Sequence, residues 1–141
     1  MIQDIIILLK RKNSDMKYLK FNHTLGPIPE SSFFEKLLMK LIRIIIPEEN
    51  PDFRQSYHLV ETWYIEYDET CENDGVCREI GRDTYGRVIV KDPDDRNYGY
   101  WTDVYGGIND YIEKMHAEYI SKEEFEAVWN EELVKVKKEI L

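Results

Sequence analysis

Apolar and polar residues alternate with period two through the middle of the chain and with period 3.6 nearer its ends, which divides the sequence into strands and helices. Leu59-Val-Glu-Thr-Trp-Tyr-Ile-Glu-Tyr67 sets Leu59, Trp63, Ile65 and Tyr67 on one side of an extended chain and Val60, Thr62, Tyr64 and Glu66 on the other. Its aromatic and β-branched content makes it the strongest strand of the sequence. Asp68 to Gly75 follows as a hairpin loop whose Asn73-Asp74-Gly75 suits positive φ, and Val76 to Arg82 is the returning strand. Asp83-Thr-Tyr-Gly86 turns the chain into Arg87–Lys91, and after an acidic loop Tyr98 to Asp103 closes an antiparallel meander. Met16 to Phe21 reads as a first strand ahead of all of these.

The helical signals lie on either side of the meander. After Leu25-Gly-Pro-Ile-Pro29, Ser31 or Ser32 offers a cap, and a helix runs to about Ile46, where Pro47 stops it. Phe34, Leu37, Leu38, Leu41 and Ile45 share one side of it, with Lys36, Lys40 and Arg43 on the other. Gly106-Gly107 breaks the sheet, and Asn109 or Asp110 caps a short helix that aligns Tyr111, Met115 and Tyr119. Ser121-Lys-Glu-Glu124 is a capping box, from which a terminal helix carries Phe125, Val128, Trp129, Leu133, Val136 and Ile140 on one face. Strands and helices do not alternate as βαβ units, so the fold class expected is α+β. It consists of an antiparallel sheet of about four to five strands with helices packed against it, ending in a C-terminal helix.

Length fits a single domain over residues 1–141, with residues 1–15 a candidate N-terminal extension of a core at 16–141, and with Met1 and Met16 both open as the start. Charge changes the picture more than length does. The formal net charge is −9, which disfavours nucleic acid and an anionic membrane and favours a basic partner. It is unevenly spread: residues 1–47 hold eight Lys/Arg against four Asp/Glu, whereas residues 48–75 hold one against nine. No apolar run approaches the ~18 residues of a membrane span. No secretory signal is visible, because Ile5–Leu9 precedes the basic Lys10-Arg11-Lys12. A cytoplasmic protein is expected, with Cys71 and Cys77 as free, dispensable thiols although a hairpin would bring them close.

No catalytic, cofactor or metal signature emerges. Asp92-Pro-Asp-Asp-Arg96 fails the calcium-loop pattern, since Arg96 stands at its fifth position and Asn97 where glycine is needed. His23, His58 and His116 have no ligand at metal-binding spacing. What stands out is a set of aromatics beside carboxylates. Asp94, Asp95, Tyr98, Trp101 and Asp103 form the first expected partner-contact set, with Glu66, Asp68, Glu69 and Glu72 as the alternative patch.

Arg78-Glu-Ile-Gly-Arg-Asp-Thr-Tyr-Gly-Arg-Val-Ile89, then Asn97-Tyr-Gly-Tyr-Trp-Thr-Asp103, then Ile120-Ser-Lys-Glu-Glu-Phe-Glu-Ala-Val-Trp129 resemble stretches of small, largely uncharacterised bacterial proteins. Some of those are encoded beside polymorphic toxins and are thought to be their immunity partners. The resemblance covers about the C-terminal two thirds and brings no catalytic residue. It implies a non-catalytic, acidic, immunity-like inhibitor of a basic toxin. The alternative is a ligand-binding or enzymatic domain with a pocket between the sheet and the helix at 33–46, and a scaffold without a defined ligand is a third reading. No cofactor is expected.

Overall fold

A computed structural model describes residues 15–24, 30, 32–45, 53–71, 75–93 and 107–136. Five strands, β1 Lys17–Asn22, β2 Thr62–Tyr67, β3 Val76–Arg82, β4 Val88–Asp92 and β5 Glu118–Tyr119, form one antiparallel sheet in the order β4-β3-β2-β1-β5. Four helices accompany them among the described residues: α1 Phe33–Ile45, α2 Phe53–Leu59, α3 Ile108–Glu113 and α4 Lys122–Trp129. The α+β class and the antiparallel sheet are as the sequence implies.

Both faces of the sheet are buried, so the strands need apolar residues on both sides of the pleat. On one face Leu19, Phe21, Trp63, Ile65 and Val90 meet Tyr111 of α3 and Tyr57 of α2, with Trp63 and Tyr57 ring centroids 5.1 Å apart. On the other, Tyr18, Tyr64, Ile80 and Val88 meet Phe125 and Val128 of α4. The alternation in β2 thus separates two cores, one of them reached by Glu66 and Tyr64 rather than by solvent.

Turn chemistry fixes the register. Asp83 Oδ1 accepts from the backbone N–H of Tyr85 (3.0 Å) and of Arg87 (2.9 Å), which closes the β3–β4 hairpin. Gly75, at φ +92°, opens β3 where a Cβ would sit 2.5 Å from the Tyr67 ring, and no side chain fits. Each sheet edge is short or covered: β5 has two residues, and the Val134 N–H donates to the Val88 carbonyl (2.8 Å), laying the chain after α4 along β4.

Several expectations need correction. Leu59 belongs to a helix, not to the central strand: α2 ends there, the Val60 N–H turns back to Tyr57 O (3.3 Å), and the strand begins at Thr62. The helix near 110 is capped by Gly107 instead of Asn109 or Asp110, and it stops at Glu113. His116 at φ 54° then reverses the chain, so that Tyr119 lies on β5 and not on a helix face. The terminal helix ends at Trp129. Lys91 Nζ donates to the carbonyls of Trp129 (2.6 Å) and Glu131, meeting groups that a continuing helix would have used internally. Cys71 and Cys77 are joined in a disulfide, not free; their Cα atoms are 5.4 Å apart across the base of the β2–β3 loop. The expected strand at Tyr98–Asp103, the helix stop at Pro47 and the candidate extension at 1–15, apart from Asp15, lie outside the described residues.

The largest departure concerns α1. Ser32 and Glu35 form its capping box, Ser32 N–H donating to Glu35 Oε2 (2.8 Å) and Glu35 N–H to Ser32 Oγ (3.2 Å). Its apolar stripe nevertheless does not enter either core: Phe34 is 72% exposed, Leu41 53% and Ile45 79%. The expected burial of this stripe against the sheet is therefore not seen among the described residues.

Candidate functional site

The acidic surface expected from the sequence is redistributed by the fold. Glu66 projects from β2 onto the α4 side and receives Arg78 of the neighbouring strand through two hydrogen bonds, Nε to Oε2 at 2.6 Å and Nη2 to Oε1 at 2.8 Å. The same guanidinium reaches Glu126 of α4 (Nη2 to Oε1, 2.5 Å) and lies over the rings of Phe125 and Trp129, 4.9 and 4.8 Å from their centroids. The hydrogen bonds that Arg78 donates to Glu66 hold its proton more tightly than usual, although burial opposes this. The bond from Arg78 keeps the Glu126 carboxyl below its ordinary range. Burial first, and the Glu66 charge second, push the Tyr18 hydroxyl above its usual value. Arg78 thus ties Glu66 of one strand to Glu126 of the helix, and Glu66 is buried.

Asp68 is also internal. Its Oδ1 accepts from Thr70 N–H (2.8 Å) and Thr70 Oγ1 (2.9 Å), which shapes the loop closed by the disulfide. Of the alternative patch, Glu69 is exposed and Glu72 lies outside the described residues, as do Asp94, Asp95, Tyr98, Trp101 and Asp103. The patch is dispersed because two of its acids have more favourable partners within the fold.

Two features were not expected. Glu79 of β3 and Asp92 of β4 face each other directly in the cross-strand register, on the side of Leu19 and Ile65, and both are fully buried. Neither is without a partner. The pattern Val-Cys-Arg-Glu-Ile-Gly-Arg gave no sign that Glu79 points inward, since it reads equally well with Ile80 as the sole core residue. The second feature is an exposed acidic corner. Glu118 and Tyr119 form edge strand β5, and Glu123 and Glu124 occupy the first turn of α4, where the Glu124 N–H donates to Ser121 Oγ (3.1 Å). All four side chains are exposed, Tyr119 to 62%. The signal for it lay in the capping box itself, which places acids at a helix start where the dipole favours them.

His23, His58 and His116 do not converge, and among the described residues no group of three or more His, Cys, Asp or Glu side chains assembles as a metal site. Among the described residues no helix is long and apolar enough to cross a membrane. Comparison with protein-family models, with curated proteins and with solved structures finds no match.

Proposed function

We propose that the protein works by binding a basic protein partner and not by catalysis, with an immunity-like inhibitor as its specific form. The observation that supports this reading is the corner where β5 leads into α4: the carboxylates of Glu118, Glu123 and Glu124 and the ring of Tyr119 are all exposed within seven residues of chain, on elements held by the sheet. Exposed carboxylates near an exposed aromatic in the chain are the composition of a protein contact. The charges speed encounter with an oppositely charged surface, and the ring slows release once water is excluded.

Co-expression with the product of the neighbouring gene, followed by affinity capture and rate measurements, tests the reading. Glu118→Lys with Glu123→Lys is expected to slow association and flatten its salt dependence, and Tyr119→Ala to speed dissociation. The same assay with Asp94→Lys and Asp95→Lys reports on the set expected from sequence. Full-strength binding by all these variants would remove both surfaces, and turnover of a small molecule by the isolated protein would replace binding with catalysis.

A further inference from the structure

We propose that α1 is an interfacial anchor that lies flat on an anionic lipid surface, independently of the acidic corner. Eight of the nine apolar residues of α1, bounded by Phe33 and Ile42, spread over about half the circumference at 3.6 residues per turn, and Met39 lies beyond that arc. All nine are exposed, the least of them 40%. Half a cylinder is wider than the two-in-seven stripe that a single partner helix covers, so pairing with a second copy would leave apolar side chains in water. The plane between headgroups and acyl chains takes the whole arc at once.

Charge points the same way. The exposed Lys36 and Lys40 stand on the opposite side of α1, and the carboxylate of Glu35 is held by the Ser32 N–H at the helix start. A helix with phenylalanine and leucine on one side and lysine on the other is matched to anionic headgroups above an apolar layer. The net charge of −9 disfavours such a surface only if it is evenly distributed, and it is not: residues 1–47 carry eight Lys/Arg against four Asp/Glu. Thirteen residues make a helix of about 20 Å, too short to span a core of about 30 Å, so α1 lies on the bilayer and does not cross it.

Flotation of the full chain with vesicles decides the matter. The protein is expected to float with vesicles of phosphatidylcholine mixed with phosphatidylserine, and to stay behind with phosphatidylcholine alone or in high salt. Leu38→Glu with Leu41→Glu should abolish flotation while leaving the urea midpoint unchanged, because neither side chain is in a core. Lys36→Glu with Lys40→Glu should weaken it by roughly tenfold or more, each lysine near such a surface being worth about a factor of five. Absence of flotation with the anionic vesicles, or flotation that survives both pairs of changes, overturns the proposal. A concentration-dependent dimer that Leu38→Glu with Leu41→Glu dissolves, seen without flotation, assigns the face to a second copy instead. Loss of the protein partner's binding bears on the acidic corner alone and leaves this result intact.

Discussion

Helices α1 and α4 start alike and end in opposite surroundings. Each has a serine cap with glutamate three residues on, and each carries an apolar stripe. Yet Phe125 of α4 is fully buried and Val128 nearly so, while Phe34 and Leu41 of α1 face solvent. The two sequences differ in what surrounds the stripe. In α4 the apolar arc is narrow and is flanked by Glu126, which Arg78 of β3 receives, and Lys91 of β4 meets the helix end. No comparable polar contact to the sheet anchors α1 among the described residues. Amphipathicity demands that a face be covered; polar partners on the neighbouring element decide by what.

The largest expected effect separates the two helices directly. Phe125→Ala removes a buried ring that packs on Tyr18 at 5.3 Å between centroids, and is expected to cost about 3–5 kcal/mol in urea unfolding. Trp129→Ala should cost less, since Trp129 is half-buried and stacks on Phe125 from outside. Equal effects for the two would mean that α4 docks through its C-terminal end.

Arg78→Met comes next. It leaves the Glu66 carboxylate, 10% exposed, without its two-pronged donor, and a loss of about 1–3 kcal/mol is expected. Glu126→Gln should cost less, its side chain being 34% exposed. A double-mutant cycle between positions 78 and 126 measures how much of α4's docking is polar; a coupling of zero would leave the stripe as the sole cause, and the contrast with α1 would need another explanation.

The disulfide sharpens the contrast between the hairpin end of the sheet and its interior. Closing the six-residue separation of Cys71 and Cys77 restricts the unfolded chain by about 2 kcal/mol in the chain-entropy model. Reductant is therefore expected to lower the melting temperature by several degrees, and a Cys71→Ser/Cys77→Ser variant to melt at the reduced value in both conditions. An unchanged melting temperature would show that the thiols act as the sequence alone suggested.

What the sequence made legible followed from local rules. The β2–β3 and β3–β4 hairpins and the caps at Ser32 and Ser121 each depend on a few adjacent residues. What it concealed depends on residues far apart in the chain. Glu66 looked like surface until Arg78 and Glu126 were placed around it, and the terminal helix looked long until Lys91 took its last carbonyls. Tyr119 fitted a helical spacing, but pairing with Leu19 across the sheet edge overrode it. The acidic corner was missed for the same reason, because β5 exists only through that pairing.

Acid should weaken the β3–β4 turn and the contact of α4 with the sheet. Burial alone would raise the Asp83 carboxyl, but the side-chain and backbone hydrogen bonds from Arg87 more than offset it and leave the group below its ordinary value. A carboxyl depressed in the folded state contributes stability that is complete above its unfolded pKa and is lost as pH falls through the folded one. Glu126 behaves alike through Arg78. The urea midpoint is therefore expected to fall on acidification below the usual carboxylate range, and less steeply in Asp83→Asn, whose β3–β4 turn has already lost that charge.

The smallest effect is expected in α1. Leu41→Ala trims a side chain that is 53% exposed, so the unfolding midpoint should move by no more than about 0.5 kcal/mol, against the 3–5 kcal/mol expected at Phe125. The comparison is informative because both side chains belong to the apolar stripes of capped helices and differ sharply in cover. A loss of 2 kcal/mol or more at Leu41, the usual range for a core leucine, would place α1 inside the folded body and remove the free face on which lipid binding depends. Repeating the melt with anionic vesicles present extends the test. A ligand that binds only the folded chain raises its apparent stability, so the wild-type protein should gain and a Leu38→Glu/Leu41→Glu variant should not.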